Sequence, residues 1–173
     1  MKKFICKKVN NKVIKQSFLP IIAQEPRILI LGSLPGDLSL EMNQYYGHPR
    51  NRFWKIMFTM FDEEFSNDYQ IREKLIQNNH LALWDVAYSA TRKGSMDVDM
   101  KDVVPNKIEE MLQKNPSIRQ IIFNGKKAEQ LYKRYFEQKS TIIYTSLPST
   151  SPANAQFSTD RLIEIWRNSL ILH

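Results

Sequence analysis

The sequence predicts an α/β fold of three layers, with helices on both faces of a short central parallel sheet of about four strands. Three observations predict it. Four short runs are rich in aliphatic residues, the stretches between them carry helical periodicity, and every unusual polar loop follows a strand.

In chain order, FICKKVNNKVIKQSF (4–18) reads as a hairpin turning at Asn10-Asn11. RILILG (27–32) is a continuous aliphatic run closed by glycine, the pattern of a parallel strand covered on both faces. NRFWKIMFTMF (51–61) and YQIREKLIQ (69–77) have helical spacing and lead to a second strand, LALWDV (81–86). KIEEMLQK (107–114) leads to a third, IRQIIFNG (118–125), and TIIYTSLP (141–148) is the fourth. The loops after these strands are GSLPGDLSL, YSATRKGSMD, NGKK and SLPSTSPANAQFS, the last ending in Ser158 as N-cap of a final helix. In such folds ligands sit outside the carboxyl ends of the strands, so these four loops frame the expected site.

With 173 residues, 42% of them hydrophobic, the chain suits a single domain spanning 1–173. A net charge of +7 and a pI near 9.5 point to a polyanionic partner, nucleic acid or an anionic membrane face. The lone cysteine, Cys6, excludes an internal disulfide and a cysteine-based metal cluster. MKKFICKK lacks the apolar core of a secretory signal, and no segment approaches the ~20 apolar residues of a membrane span. A soluble, intracellular protein is expected.

QYYGHPRNRFW (44–54) packs three kinds of aromatic ring, a histidine and two arginines into a short stretch after the first strand, which suits a pocket wall holding a flat ligand. Phe53 and Trp54, spaced with Met57 and Phe58, belong to a buried helical face, and Asn51 stands where a helix N-cap would. GSLPG (32–36) is too short for a dinucleotide fingerprint and lacks the lysine-serine ending of a P-loop. SLPSTSPANAQFS (146–158) can present amides and hydroxyls to phosphates. Asp85, a carboxylate where a strand leaves the core, is either a helix cap or a ligand contact. His80 and His173 have no metal-ligand company, so neither metal nor cofactor is expected.

In their order and separation, GSLPG, QYYGHPRNRFW, LWDV and LPSTSPANA resemble the uracil-DNA glycosylase superfamily, and within it the hypoxanthine (deoxyinosine) DNA glycosylase branch. The resemblance runs from about Ser17 to the end and leaves the first sixteen residues outside. It implies a uracil-DNA glycosylase-like fold and a monofunctional, metal-free enzyme. Such an enzyme flips a deaminated base out of duplex DNA and hydrolyses its N-glycosidic bond. The implied partner is double-stranded DNA containing such a base, met by a monomer in the cytoplasm, nucleoid-associated when bound, with no membrane role.

Two departures matter. Better-known relatives carry a water-orienting aspartate or asparagine as third residue of the first motif, where this chain has Leu34; Asn51 is the polar residue of the stretch that can take over as catalytic group. Leu147 stands where the uracil enzymes carry a histidine that stabilises the leaving base. The resemblance further implies that Asp85 reads the base, that Tyr45 or Tyr46 stacks on it, and that Gly32, Ser33 and Leu34 line its pocket. Ser149, Thr150 and Ser151 would pin the DNA backbone, Ala153, Asn154 and Ala155 would lie near the minor groove, and His48 and Arg50 would also contact DNA. A uracil- or mismatch-directed glycosylase, and a non-catalytic nucleic-acid-binding module, remain as alternatives.

Overall fold

The computed structural model describes residues 7–9 and 12–170. Its main sheet has the order β3-β5-β4-β8-β9, where β3 is Ile21–Ile22, β4 Ile28–Gly32, β5 Leu81–Asp85, β8 Gln120–Asn124 and β9 Ile143–Leu147. The last four are parallel and are the four strands expected from sequence; β3 adds an antiparallel edge against β5. β4 lies at the centre because all its side chains are buried, so it needs cover on both faces.

Alternation along that strand divides the core. Ile28 and Ile30 face α2 (Phe53–Met60), α3 (Tyr69–Asn78) and α6 (Thr159–Arg167), packing with Phe53, Ile56, Ile76 and Trp166. Leu29 and Leu31 face the other way, onto Ile108, Leu112, Ala128 and Leu131 of α4 (Ile108–Lys114) and α5 (Lys126–Tyr135). Each such side chain contributes about 1.5–3 kcal/mol by leaving water. Truncating fully buried Ile30 to alanine would cost about 2–5 kcal/mol, because a cavity adds to the lost transfer energy. The helices start as their sequences dictate: Asp68 accepts the Gln70 amide at 2.8 Å and Ser158 the Arg161 amide at 3.2 Å. Among the described residues no helix is long and apolar enough to cross a membrane.

A second, antiparallel sheet was not expected. It has the order β1-β2-β6-β7, with β1 Lys7–Val9, β2 Lys12–Gln16, β6 Ala87–Thr91 and β7 Lys101–Pro105. β1 and β2 pair in the register of the expected hairpin, while the Asn10-Asn11 turn, like Cys6 and His173, lies outside the described residues. YSATRKGSMD is therefore not all loop. Its first four residues continue the chain from β5 into β6, whose Ala87 and Ala90 are buried while Tyr88 is exposed. NGKK shrinks likewise, because α5 begins at Lys126. Gly125 makes that turn at φ +99, and a Cβ there would stand 2.9 Å from the Ser149 Cβ, so only glycine fits. GSLPGDLSL also closes into a short helix, α1 (Asp37–Met42).

Candidate active site

The parallel register brings Gly32 beside Asp85 and Asn124 beside Leu147 at the carboxyl ends of the strands. Above them opens a cavity of about 540 Å³. Gly32, Ser33, Leu34, Tyr45, Tyr46, His48, Arg50, Asn51, Asp85, Ser149, Thr150, Ser151 and Ala153 all border it, so loops far apart in sequence converge on one space. Asn154 does not border it.

Asp85 forms the floor. It is 4% exposed and accepts a 2.7 Å hydrogen bond from the Ser17 hydroxyl, itself buried at the end of β2. Burial pushes its carboxyl from 3.8 up to about 7, the Ser17 bond opposing and the Asp97 charge adding to the rise. Its side chain caps no helix among the described residues and borders the cavity. A Cβ on Gly32 would come within 2.6 Å of the Asp85 Oδ1 and 3.1 Å of the Tyr46 hydroxyl, so glycine is what lets these two groups approach the floor.

Tyr45 and Tyr46 are held in different ways. Tyr45 is buried, its ring edge against Phe18 and its hydroxyl donating towards the Phe18 and Leu19 carbonyls at 3.3 Å. The Trp54 indole donates to the Tyr45 carbonyl at 2.8 Å, fixing this turn on α2. Tyr46 takes the left-handed conformation at φ 52 and lays one ring face on Phe53, centroids 4.0 Å apart. Its hydroxyl is buried without a hydrogen-bond partner.

Asn51 receives the Phe53 amide at 3.0 Å and the Thr150 hydroxyl at 2.9 Å, both on its Oδ1. The amide is thereby oriented, with both lone pairs of its oxygen engaged and its NH₂ as the group it can offer. Thr150 is fully buried. Its amide donates to Asn124 Oδ1 at 2.9 Å and its hydroxyl accepts from Asn124 Nδ2 at 3.0 Å. The chain Asn124 to Thr150 to Asn51 therefore has one direction of donation, and the expectation that the Thr150 side chain pins DNA gives way: its hydroxyl is spent inside the protein. Ser149 and Ser151 are half-buried; their hydroxyl oxygens accept the amides of Ser151 and Ala153, bonds that leave the hydroxyl protons to donate elsewhere. His48 accepts the Arg50 amide on Nδ1 at 3.0 Å, which puts the proton of the neutral ring on Nε2.

Sequence reading missed several contributors. Arg52 donates to the carbonyls of Thr150, Ser151, Asn154 and Phe157, tying the last loop to α2. Asn154 joins this brace through its side chain to the Ser149 carbonyl at 2.9 Å. On the opposite wall, Asp97 accepts the Ser33 hydroxyl at 2.8 Å and Arg92 at 3.2 Å, and Arg92 also donates to the Pro35 carbonyl. Lys15 pairs with Asp37. These charges stitch the GSLPG turn to the segment between β6 and β7. Arg92 is 1% exposed and burial lowers its affinity for the proton, opposed by Asp97. The signal available in sequence was only RKGSMD, indistinguishable from a solvated loop.

A hypoxanthine DNA glycosylase of Methanosarcina barkeri is 40% identical over 115 residues, 66% of this chain and 73% of that protein. Another of that name from Methanosarcina acetivorans is 36% identical over 154 residues, 86% of this chain and 94% of that one. A candidate uracil DNA glycosylase from M. acetivorans, solved by NMR, superposes with a TM-score of 0.77 at 34% identity, covering 91% of this chain and 96% of that one. The profile of the family described as "Uracil DNA glycosylase superfamily" matches residues 19–169, and the chain belongs to that superfamily.

Proposed function

We propose that this chain is a monofunctional DNA glycosylase that removes hypoxanthine from double-stranded DNA and leaves an abasic site. The observation that carries the reading is the buried Asp85 carboxylate on the cavity floor, beside a glycine that keeps the space above it clear. The names of the two Methanosarcina relatives support the same substrate.

A deaminated purine is mispaired, so extruding it costs less than extruding a paired base. The net charge of +7 supplies sequence-independent attraction to phosphates, with Arg50, His48 and the hydroxyls of Ser149 and Ser151 as contacts beside the cavity. Once the base is inside, the ionised Asp85 accepts the N1 proton of hypoxanthine. Asn51 holds a water by an N–H of its amide, against the sugar. The C1′–N9 bond breaks with its electron pair going to the base, the water oxygen bonds to C1′, and the water's proton ends on the departing base. Leu147 is 5% exposed and packed in the core, so it takes no part.

The test is single-turnover incubation with a duplex holding one deoxyinosine, followed by alkali, alongside duplexes holding uracil, xanthine or ethenocytosine. Cleavage at inosine ahead of the others is expected. A preference for uracil would favour the uracil-directed reading, and no strand break with any of them would leave a binding module.

A further inference from the structure

Resting on the reading of this cavity as a base pocket, we infer that the Tyr46 hydroxyl is the donor that reads the carbonyl oxygen of the flipped base, beside Asp85 as acceptor for the adjoining ring N–H. The two groups together would recognise a lactam edge, N–H next to C=O, as hypoxanthine and uracil present it.

Four observations converge on this. An ionised carboxylate accepts but cannot donate, so Asp85 satisfies only half of such an edge and a donor must stand next to it. The Tyr46 hydroxyl is buried with the Asn124 side chain as its polar neighbour but no hydrogen bond of ordinary geometry, a state unusual in a native protein unless a ligand completes it. The Asp85 Oδ1 and the Tyr46 hydroxyl lie 2.6 and 3.1 Å from one and the same point, the Cβ position that Gly32 leaves empty, so both groups converge on the cavity floor. Finally, Tyr46 keeps the left-handed φ of 52, which a bulky residue rarely adopts, and Phe53 clamps its ring at 4.0 Å. One ring face is thus already occupied, and the hydroxyl is the polar part of the ring that stands beside Gly32 and Asp85.

The pair also explains what is refused. Adenine and cytosine present an unprotonated ring nitrogen beside an amino group, so the carboxylate would meet a lone pair and the phenol an N–H. The phenol oxygen can turn to accept that N–H, so the refusal falls on the carboxylate, which is left facing a lone pair, and a buried charge left unpaired discriminates more strongly than added bulk does.

Tyr46→Phe removes the hydroxyl and keeps the clamped ring. Binding is measured by fluorescence anisotropy on two uncleavable duplexes, one holding 2′-fluoro-2′-deoxyinosine and one holding the 2′-fluoro nucleoside of unsubstituted purine, which lacks both the 6-oxygen and the N1 proton. The expected result is about tenfold weaker binding of the inosine duplex and unchanged binding of the purine duplex. Because the hydroxyl has no hydrogen bond of ordinary geometry to lose, Tm should stay level or rise. Equal losses on both duplexes, no loss on either, or a lowered Tm would overturn the assignment. Excision by the unmodified protein is scored separately: its absence with inosine and uracil would sink the glycosylase reading, whereas these binding differences report on Tyr46 alone.

Discussion

The Thr150 hydroxyl donates to Asn51 Oδ1 at 2.9 Å, joining the last loop to the start of α2 across 99 positions of sequence. Thr150 cannot be turned towards solvent without stranding Asn51 and Asn124 together, since it bonds both.

Thr150→Val keeps the shape and removes the donor. Asn124 Nδ2 then lacks its acceptor in a buried site, at a cost of about 1–3 kcal/mol. Asn51 loses one of the two bonds that orient its amide, so the single-turnover rate should fall by about tenfold or more, while Thr150→Ser should stay near the parent. Equal rates for valine and serine variants would show that the hydroxyl orients nothing.

Asn51→Ala should remove chemistry more than binding, because a group that positions water acts on the transition state and touches bound DNA lightly. A loss of ~10³-fold corresponds to about 4 kcal/mol of barrier. Asn51→Asp sharpens the point: it keeps an acceptor for the Phe53 amide and the Thr150 hydroxyl but has no N–H to give. Comparable loss in both variants, with duplex affinity within a few-fold of the parent, is the expected pattern. Parental rates in Asn51→Asp would reduce the side chain to a helix-start device.

Asp85 links activity and stability to pH with opposite signs. Its folded affinity for the proton is raised from 3.8 to about 7 by burial, so between those values the folded protein binds more protons than the unfolded chain and loses stability as pH rises. Asp85→Asn should abolish that slope, so the Tm gap between variant and parent widens in the variant's favour from pH 5 to pH 8. Excision of inosine needs the ionised form and should rise through about pH 7. Ser17→Ala removes the hydrogen bond that holds the carboxyl down and should move that midpoint upwards. A midpoint left in place by Ser17→Ala would break the link between this bond and the titration.

Gly32→Ala should inactivate through geometry alone. The added methyl meets Asp85 Oδ1 at 2.6 Å on a strand whose neighbours are packed, so either the carboxylate or the strand must shift. Tm is expected to fall and inosine excision to drop by at least tenfold, about 1.4 kcal/mol of barrier. An active, equally stable Gly32→Ala would mean the floor has more room than its atoms allow.

The parallel strands were legible because a strand buried on both faces has to be written as an aliphatic run, as ILILG and QIIFN are. β6 was not, since AYSAT buries two small alanines and satisfies its amides by pairing with β2 and β7, which no local pattern announces. Apart from Asn154 and Ala155, the site residues that motifs bring to mind stand around one cavity, yet what each side chain touches was hidden. Thr150 looked like a phosphate contact because a hydroxyl in a polar loop carries no mark of direction. Arg92 and Asp97 drew no reading at all, because the neutralisation of a charge depends on a partner, and Ser33 reaches Asp97 from another strand end.

Arg52 holds the last loop from the start of α2. Its guanidinium and amide engage four carbonyls between Thr150 and Phe157, so the last loop has its shape before any DNA arrives. Ordering a backbone residue costs about 1–2 kcal/mol, and here that cost falls on folding rather than on association. A loop assembled in advance suits a protein that must sample very many undamaged positions, where each encounter has to be short and each refusal quick.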